Sequence, residues 1–247
     1  MAEPHSTVTG PEVHLRPGIN PQACAAVFAK HGRVHIPQVF PDDVATRIER
    51  ALREETPWSR VFNRGDKHYD LGPGTWQSIA EDKRTEVAAA VLANGRTRFA
   101  YFFENFPIAD LHAAGRHRDS YLMRVFEFIN STECLEFARA VVGAGDIVLA
   151  DAQATCYRTG DFLTCHDDLV EGKHRRAAYV FNFTRPWSVD WGGILQFIDA
   201  DDHVAEGYTP AFNALNIVRV PNPHSVSYVN PLAAGERYSI TGWFRAG

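Results

Sequence analysis

His166 and Asp168 stand two residues apart in the segment Tyr157-Arg-Thr-Gly-Asp-Phe-Leu-Thr-Cys-His166-Asp167-Asp168. At the end of a β-strand, where side chains alternate with period two, both would point the same way. A third ligand must come from a distant strand, and His224 in Pro221-Asn222-Pro223-His224-Ser225-Val226 is the candidate. Two imidazoles and one carboxylate make a facial triad that leaves positions open on an iron ion for a bidentate co-substrate and for oxygen. A His-x-Asp pair alone is weak evidence in a chain with 11 histidines, each of which is ordinarily a surface or core residue.

Three further features raise the specificity. Arg237 follows His224 by 13 residues within Arg237-Tyr238-Ser239-Ile240-Thr241. On a strand Arg237, Ser239 and Thr241 share one face, and a guanidinium fork beside a hydroxyl suits the distal carboxylate of 2-oxoglutarate. Tyr157 ends the strand before His166, where its hydroxyl could reach the same ligand, a plain core tyrosine being the equal alternative. Trp191-Gly192-Gly193-Ile194-Leu195 lies between the ligands, where a tight turn would bring the chain back into a barrel.

These residues need a frame. Residues 21–30 read as a short helix and 34–37 as an extended strand. Pro41-Asp42-Asp43 opens a helix to about Glu55, with proline and acids in its first turn. Further helices are expected over 81–93, and from Ser131 as a cap to Val142 before Gly143. After Gly145 short apolar and aromatic runs, separated by Gly, Pro, Asn and Asp, read as strands over 147–157, 177–183, 193–198, 214–220, 225–229 and 238–244. The expected architecture is mainly β with α: a double-sheet barrel supported by N-terminal helices. Residues 1–20 are expected to be a loose segment and 21–247 a single domain, helix-rich over 21–146 with its β-barrel core over 147–247. Asn63-Arg64-Gly65-Asp66-Lys67-His68 reads as a polar loop over the site. Residues 58–68, 96–106 and 187–191 are candidates for substrate recognition, although Phe102, Phe103 and Phe106 read more readily as core.

Composition narrows the classes. Of 247 residues 45% are hydrophobic, enough for a substantial core, and the net charge of -5 gives no footprint for nucleic acid or an anionic membrane. The basic clusters Arg116-His117-Arg118 and Lys173-His174-Arg175-Arg176 read as solvated faces or loop ends. Cys24, Cys134, Cys156 and Cys165 have no Cys-x-x-Cys spacing, so neither a zinc knuckle nor a disulfide framework is indicated. The N-terminus has no basic start followed by an apolar run, and no run reaches the length of a membrane span. A reduced, cytoplasmic protein is expected; oligomeric state is left open.

Cys165-His166-Asp167-Asp168, Glu171-Gly172, Pro186-Trp187, Gly192-Gly193, Pro223-His224-Ser225-Val226 and Arg237-x-Ser239-Ile240-x-Gly242-Trp243-Phe244 resemble the 2-oxoglutarate/Fe(II)-dependent prolyl hydroxylases. The resemblance is strongest over 147–247 and closest to the OGFOD-type branch that hydroxylates a proline of a ribosomal protein. It implies a distorted double-stranded β-helix, a jelly-roll of cupin-like form. It implies Fe(II) held by His166, Asp168 and His224, with 2-oxoglutarate and O2 as co-substrates and ascorbate as a further candidate cofactor. Arg237 would pair with the co-substrate, assisted by Tyr157 and Ser239. Where many prolyl hydroxylases place a co-substrate tyrosine, this sequence has Asn182, which could donate a hydrogen bond instead. That branch carries a second, inactive barrel, so only the catalytic domain is expected here. The implied partner is a protein substrate, ribosomal by the closest resemblance, with a free amino acid or other small metabolite as the alternative. A nucleic-acid dealkylase would carry a second arginine six residues after Arg237, where Trp243 stands. A zinc hydrolase would leave the arginine strand unexplained, and a non-catalytic barrel would be expected to lack a ligand or Arg237.

Overall fold

The computed structural model describes residues 9–247. The helices are α1 (Pro21–His31), α2 (Asp42–Arg50), α3 (Thr75–Ser78), α4 (Glu81–Gly95), α5 (Ile108–Ala113), α6 (Tyr121–Ile129) and α7 (Thr132–Val142). The early strands are β1 (Arg33–Pro37), β2 (Ser59–Arg64), β3 (Lys67–Leu71) and β4 (Tyr101–Phe106). Then come β5 (Ile147–Ala150), β6 (Gln153–Tyr157), β7 (Phe162–His166), β8 (Arg175–Phe183) and β9 (Leu195–Ile198). The last are β10 (Val204–Tyr208), β11 (Phe212–Arg219), β12 (His224–Val226) and β13 (Arg237–Ala246).

The helix ends follow local chemistry. The Asn20 side chain accepts from the Gln22 and Ala23 amides ahead of α1, and Gly32 in the left-handed region closes it. Ser131 accepts from the Cys134 amide ahead of α7, and Gly143 closes that helix in the same way. The helix from Asp42 continues as a π-helical turn over Ala51–Glu55. Residues 9–20 form no helix or strand, yet they are tied down: the Tyr121 hydroxyl donates to the Pro11 carbonyl and Arg47 Nε donates to the Thr9 carbonyl. Val13, Leu15 and Ile19 pack on the core, so an apolar sequence without periodicity docks as a strap. The remainder of the expected loose segment lies outside the described residues.

One sheet runs β1-β11-β8-β13-β6-β4-β7-β12-β9-β10, with β2 joined to β3 and β4 and β5 joined to β13. Each described pairing is antiparallel. The sheet folds over into a distorted double-stranded β-helix. The main core lies on its outer face, where Tyr179 and Phe181 of β8, Ile217 of β11 and Ile240 of β13 meet the helices. Because side chains alternate along a strand, the opposite faces of β6, β8, β11 and β13 line the barrel interior.

Four strands precede residue 147, so the sheet begins well before the expected boundary of the β half. β2 and β4 escaped notice because they are buried on both faces and lack the alternation of a half-solvated strand. The expected polar loop at 63–68 is instead the tip of the β2–β3 hairpin, with Asn63 opposite His68 and Arg64 opposite Lys67. Phe102, Phe103 and Phe106 are all buried.

Candidate active site

β7 ends on His166, and β12 begins on His224 directly opposite it in the antiparallel register. The imidazole centroids are 4.2 Å apart. Asp168 does not reach the site by strand alternation. It lies beyond the end of β7 with φ of 64°, and this left-handed turn swings its carboxylate back between the two rings. Its Oδ1 lies 3.5 Å from His166 Nε2 and its Oδ2 lies 3.5 Å from His224 Nε2. The three ligand atoms fall within 4.8 Å of one another.

Backbone carbonyls set the tautomers. His166 Nδ1 donates to the Thr164 carbonyl at 3.0 Å, and His224 Nδ1 donates to the Asn222 carbonyl at 2.8 Å. Each Nε2 lone pair is thereby turned on Asp168. Burial, and then the adjacent His166, lower the His224 pKa, which favours the neutral imidazole. Burial alone would raise the Asp168 carboxyl, but the two imidazoles outweigh it and the carboxyl sits below its ordinary range. Two ring nitrogens and a carboxylate oxygen within 4.8 Å of one another are the donor set a divalent cation needs.

Arg175 steadies the turn that carries Asp168. Its Nη1 donates to the Asp168 carbonyl at 2.9 Å, and its guanidinium lies 3.5 Å above the Trp243 ring. The sequence put Arg175 in a solvated basic cluster. Arg176 does turn outward, to Asp146, but a register shift between β8 and β13 brings Arg175 inward. The clue was parity: Trp243 shares the alternation of Arg237, Ser239 and Thr241.

Below the triad the interior narrows into a cavity lined by Tyr157, Ser239, Thr155 and Arg237, with His166, Asp168 and His224 on its wall. Arg237 is 3% exposed and stands opposite Tyr157 in the register, its guanidinium 4.9 Å from the centre of that ring. Among the described residues Arg237 has no carboxylate partner, and its Nε has no hydrogen-bond partner at all. Burial lowers its pKa, and the Tyr157 hydroxyl partly compensates. A buried cation without an anion is costly, so the floor of this cavity is suited to an acid. Ser239 and Thr155 share a hydrogen bond of 2.7 Å between their hydroxyls. Asn182 stands beside Ser239 in the next strand but donates its Nδ2 to the Val180 carbonyl, and it is not among the cavity-lining residues. A polar rung thus crosses five strands: Asn182, Ser239, Thr155, Asn105, Ser59.

Above the triad opens a mouth walled by Phe99, Tyr101, Phe103 and Leu163, with Leu169 and Val170 on its rim. Two of the segments expected to recognise substrate contribute here, the third does not. Trp187 and Trp191 pack edge-to-face near Gly192 and Gly193, away from this mouth, because the Trp187 indole donates to the Gly192 carbonyl and closes that loop on itself.

Residues 152–245 match the family model described as the 2OG-Fe(II) oxygenase superfamily, a span that contains the triad and Arg237. Residues 152–245 are thus similar to a 2OG-Fe(II) oxygenase domain. Over 101 residues the chain is 35% identical to the mouse prolyl 3-hydroxylase OGFOD1, covering 38% of this chain and 18% of that protein. It is 29% identical over 136 residues to the Ostreococcus tauri prolyl 3,4-dihydroxylase OGFOD1, covering 50% of this chain and 26% of that one. The matched stretches span about a fifth to a quarter of these relatives' own length. A Pseudomonas putida prolyl-4-hydroxylase superposes with a TM-score of 0.56 at 16% identity, over 92% of this chain and all of that one. A 2OG-Fe(II) oxygenase family protein from Burkholderia pseudomallei gives 0.59 at 14% identity, over 95% of each chain. These likenesses are of fold, the double-stranded β-helix. Among the described residues no helix is long and apolar enough to cross a membrane.

Proposed function

We propose that this chain is an Fe(II)- and 2-oxoglutarate-dependent dioxygenase that hydroxylates a prolyl residue of a protein substrate, releasing succinate and CO2. The observation that carries the reading is the pairing of a three-acceptor cluster with a buried, anion-free Arg237 in one cavity. His166, Asp168 and His224 hold the metal. Arg237 holds the distal carboxylate of the co-substrate, with Tyr157 and Ser239 beside it and Asn182 supporting the rung. The bound iron, with 2-oxoglutarate and O2, supplies the oxidising chemistry that inserts oxygen into a C–H bond. The protein's part is to orient both carboxylate ends, to fix the imidazole tautomers and to keep water out of the narrow interior.

A chain-borne residue fits the mouth better than a free amino acid does. A zwitterion needs an anion and a cation to face it. Besides the metal ligands, the charged carboxylate and guanidinium in the wall are Asp167 and Arg175, and both are engaged. Asp167 Oδ1 accepts from the Leu169 amide, while Arg175 holds the Asp168 carbonyl and stacks on Trp243. The exposed side chains of Phe99, Leu169 and Val170 at the rim suit an apolar peptide flank. A ribosomal protein as target, ascorbate as auxiliary reductant and a cytoplasmic location complete the proposal; the prolyl hydroxylase names of the curated relatives favour a protein substrate.

The test is succinate release from 2-oxoglutarate with Fe(II), comparing a ribosome-rich protein fraction with a pool of free amino acids, and His166→Ala as blank. Stimulation by the protein fraction, followed by mapping of an oxidised proline, is the expected result. Stimulation by the amino acid pool alone would move the substrate to metabolism, and no succinate under any condition would refute the oxygenase reading.

A further inference from the structure

Asn105 of β4 and Gln153 of β6 both line the mouth, on the wall between Phe103 and Trp243. The register sets Asn105 opposite Thr155 and Gln153 opposite Thr241, so the two amides sit diagonally across neighbouring strands. Asn105 Nδ2 donates to Gln153 Oε1 at 3.4 Å. That contact is the one described bond of either side chain. Asn105 Oδ1 is buried with no hydrogen-bond partner, and the Gln153 Nε2 hydrogens are not donated to any described acceptor.

A carboxamide kept for structure has its polar atoms satisfied, because a buried acceptor left empty costs free energy. Other interior polar groups of this barrel obey that rule: Thr155 bonds Ser239, Thr241 donates to the Tyr179 carbonyl, and Asn182 donates to the Val180 carbonyl. Among the described residues Asn105 Oδ1 is the one buried side-chain acceptor without a partner, and it faces the mouth. Held together by their mutual bond, the two side chains offer one acceptor and one donor side by side. This is the complement of a secondary amide, which presents one N–H and one C=O.

We propose that Asn105 and Gln153 form an amide-reading site that pairs with a main-chain amide flanking the substrate's target residue. Asn105 Oδ1 accepts the substrate N–H, and Gln153 Nε2 donates to a substrate carbonyl. The pair makes the enzyme specific for a residue within a polypeptide rather than for a free side chain of the same shape. Neither amide carries charge, so recognition is by main chain and tolerant of the flanking side chains. This inference rests on the prolyl dioxygenase reading above and adds the residues that tell a peptide from a metabolite.

The test uses the Fe(II)-loaded full chain and two probes. One is a pool of capped hexapeptides with a central proline and randomised flanks; the other is the same pool with the flanking amide nitrogens methylated. The readout is the pool concentration giving half-maximal succinate release. In the wild-type protein methylation raises that concentration about tenfold, as expected for loss of one well-placed hydrogen bond. In Asn105→Leu, which loses the acceptor for the N–H, the ratio between pools falls towards one; Gln153→Glu, which loses the donor to the carbonyl, raises the half-maximal concentration of both pools. Because the readout is a ratio within each variant, a change in the amount of folded enzyme does not alter it. A ratio near one in the wild type, or a tenfold ratio kept in Asn105→Leu, overturns the amide-reading role while leaving the prolyl reading intact. If neither pool stimulates a wild-type protein that still consumes 2-oxoglutarate, the prolyl peptide reading fails and this inference with it.

Discussion

Arg237→Met separates what the guanidinium does for the ligand from what it does to the fold. The methionine keeps much of the aliphatic stem and removes the charge. In the ligand-free protein that charge is 97% buried by area, has no carboxylate partner among the described residues and leaves its Nε unbonded. Removing a buried charge that no carboxylate balances is expected to leave stability within about 1 kcal/mol of wild type, or to raise it. Binding moves the other way. A fork that makes two charge-assisted bonds to a carboxylate loses roughly 3–5 kcal/mol when deleted, or about two to four powers of ten in the 2-oxoglutarate dissociation constant. Thermal unfolding with Mn(II) in place of Fe(II), with and without 2-oxoglutarate, reads both. At a ligand concentration about 100 times the dissociation constant the wild type gains about 2.7 kcal/mol, which is roughly 5–10 °C for a chain of this size. The methionine variant should show almost none of that gain at the same concentration. A retained ligand shift would remove Arg237 from co-substrate binding. A ligand-free melting point lowered by more than about 6 °C would refute the claim that no anion in the protein balances its charge.

Three other outcomes follow from the geometry. His166→Ala, Asp168→Ala and His224→Ala each remove one of three converging donors, and metal stoichiometry by elemental analysis should fall from near one towards zero; a full complement in all three would place the metal elsewhere. Gly192→Ala should destabilise by roughly 2–5 kcal/mol in urea unfolding, because a Cβ there meets the Tyr228 carbonyl oxygen at 2.0 Å and φ is 73°; a loss under about 1 kcal/mol would contradict that contact. Asp161 is buried against Arg60, with Glu104 and the Arg158 amide also facing it, and burial pushes its carboxyl up to about 7. A folded pKa above the unfolded value of about 3.9 means that the native state holds the proton more tightly, so this group's contribution is present at low pH and is lost as pH rises from about 4 to about 7. Asp161→Asn should flatten that part of the stability–pH curve, and an unchanged slope would count against the raised pKa.

The triad was legible because its residue types are rare in combination and its spacing is local at one end. The means by which Asp168 arrives was not. Alternation along a strand gave the right partner for the wrong reason, since a left-handed turn past β7, invisible in an Asp-Asp-Leu sequence, does the aiming. Arg237 was read from its spacing after His224 and its strand parity with Ser239, Tyr157 from its place at the end of the strand before His166, and the structure sets the two side by side. Arg175 was hidden by its basic neighbours, and only the register shift opposite β13 turns it inward. β2 and β4 were missed for one shared reason. Each is buried on both faces, so period, the main signal in a single sequence, is erased where a strand is enclosed. Asn105 and Gln153 carry no motif, and nothing in a sequence shows that a buried amide oxygen lacks a donor.

The strands that build this barrel serve two masters on opposite sides. On β8, Tyr179 and Phe181 anchor the helices while Ala178 and Val180 look into the lumen; on β13, Ile240 and Phe244 do the first and Arg237, Ser239 and Thr241 the second. Inheritance can act on these two sets separately. A lineage that redraws the lumen residues explores new substrates while the outward set keeps the scaffold standing, and a lineage that drifts on the outside adjusts its tolerance of heat with the catalyst untouched. Descendants of such a barrel should therefore diverge fastest around the mouth, between Asn105, Gln153 and Trp243, and keep the His166–Asp168–His224 cluster and the outward aromatic layer as their common signature.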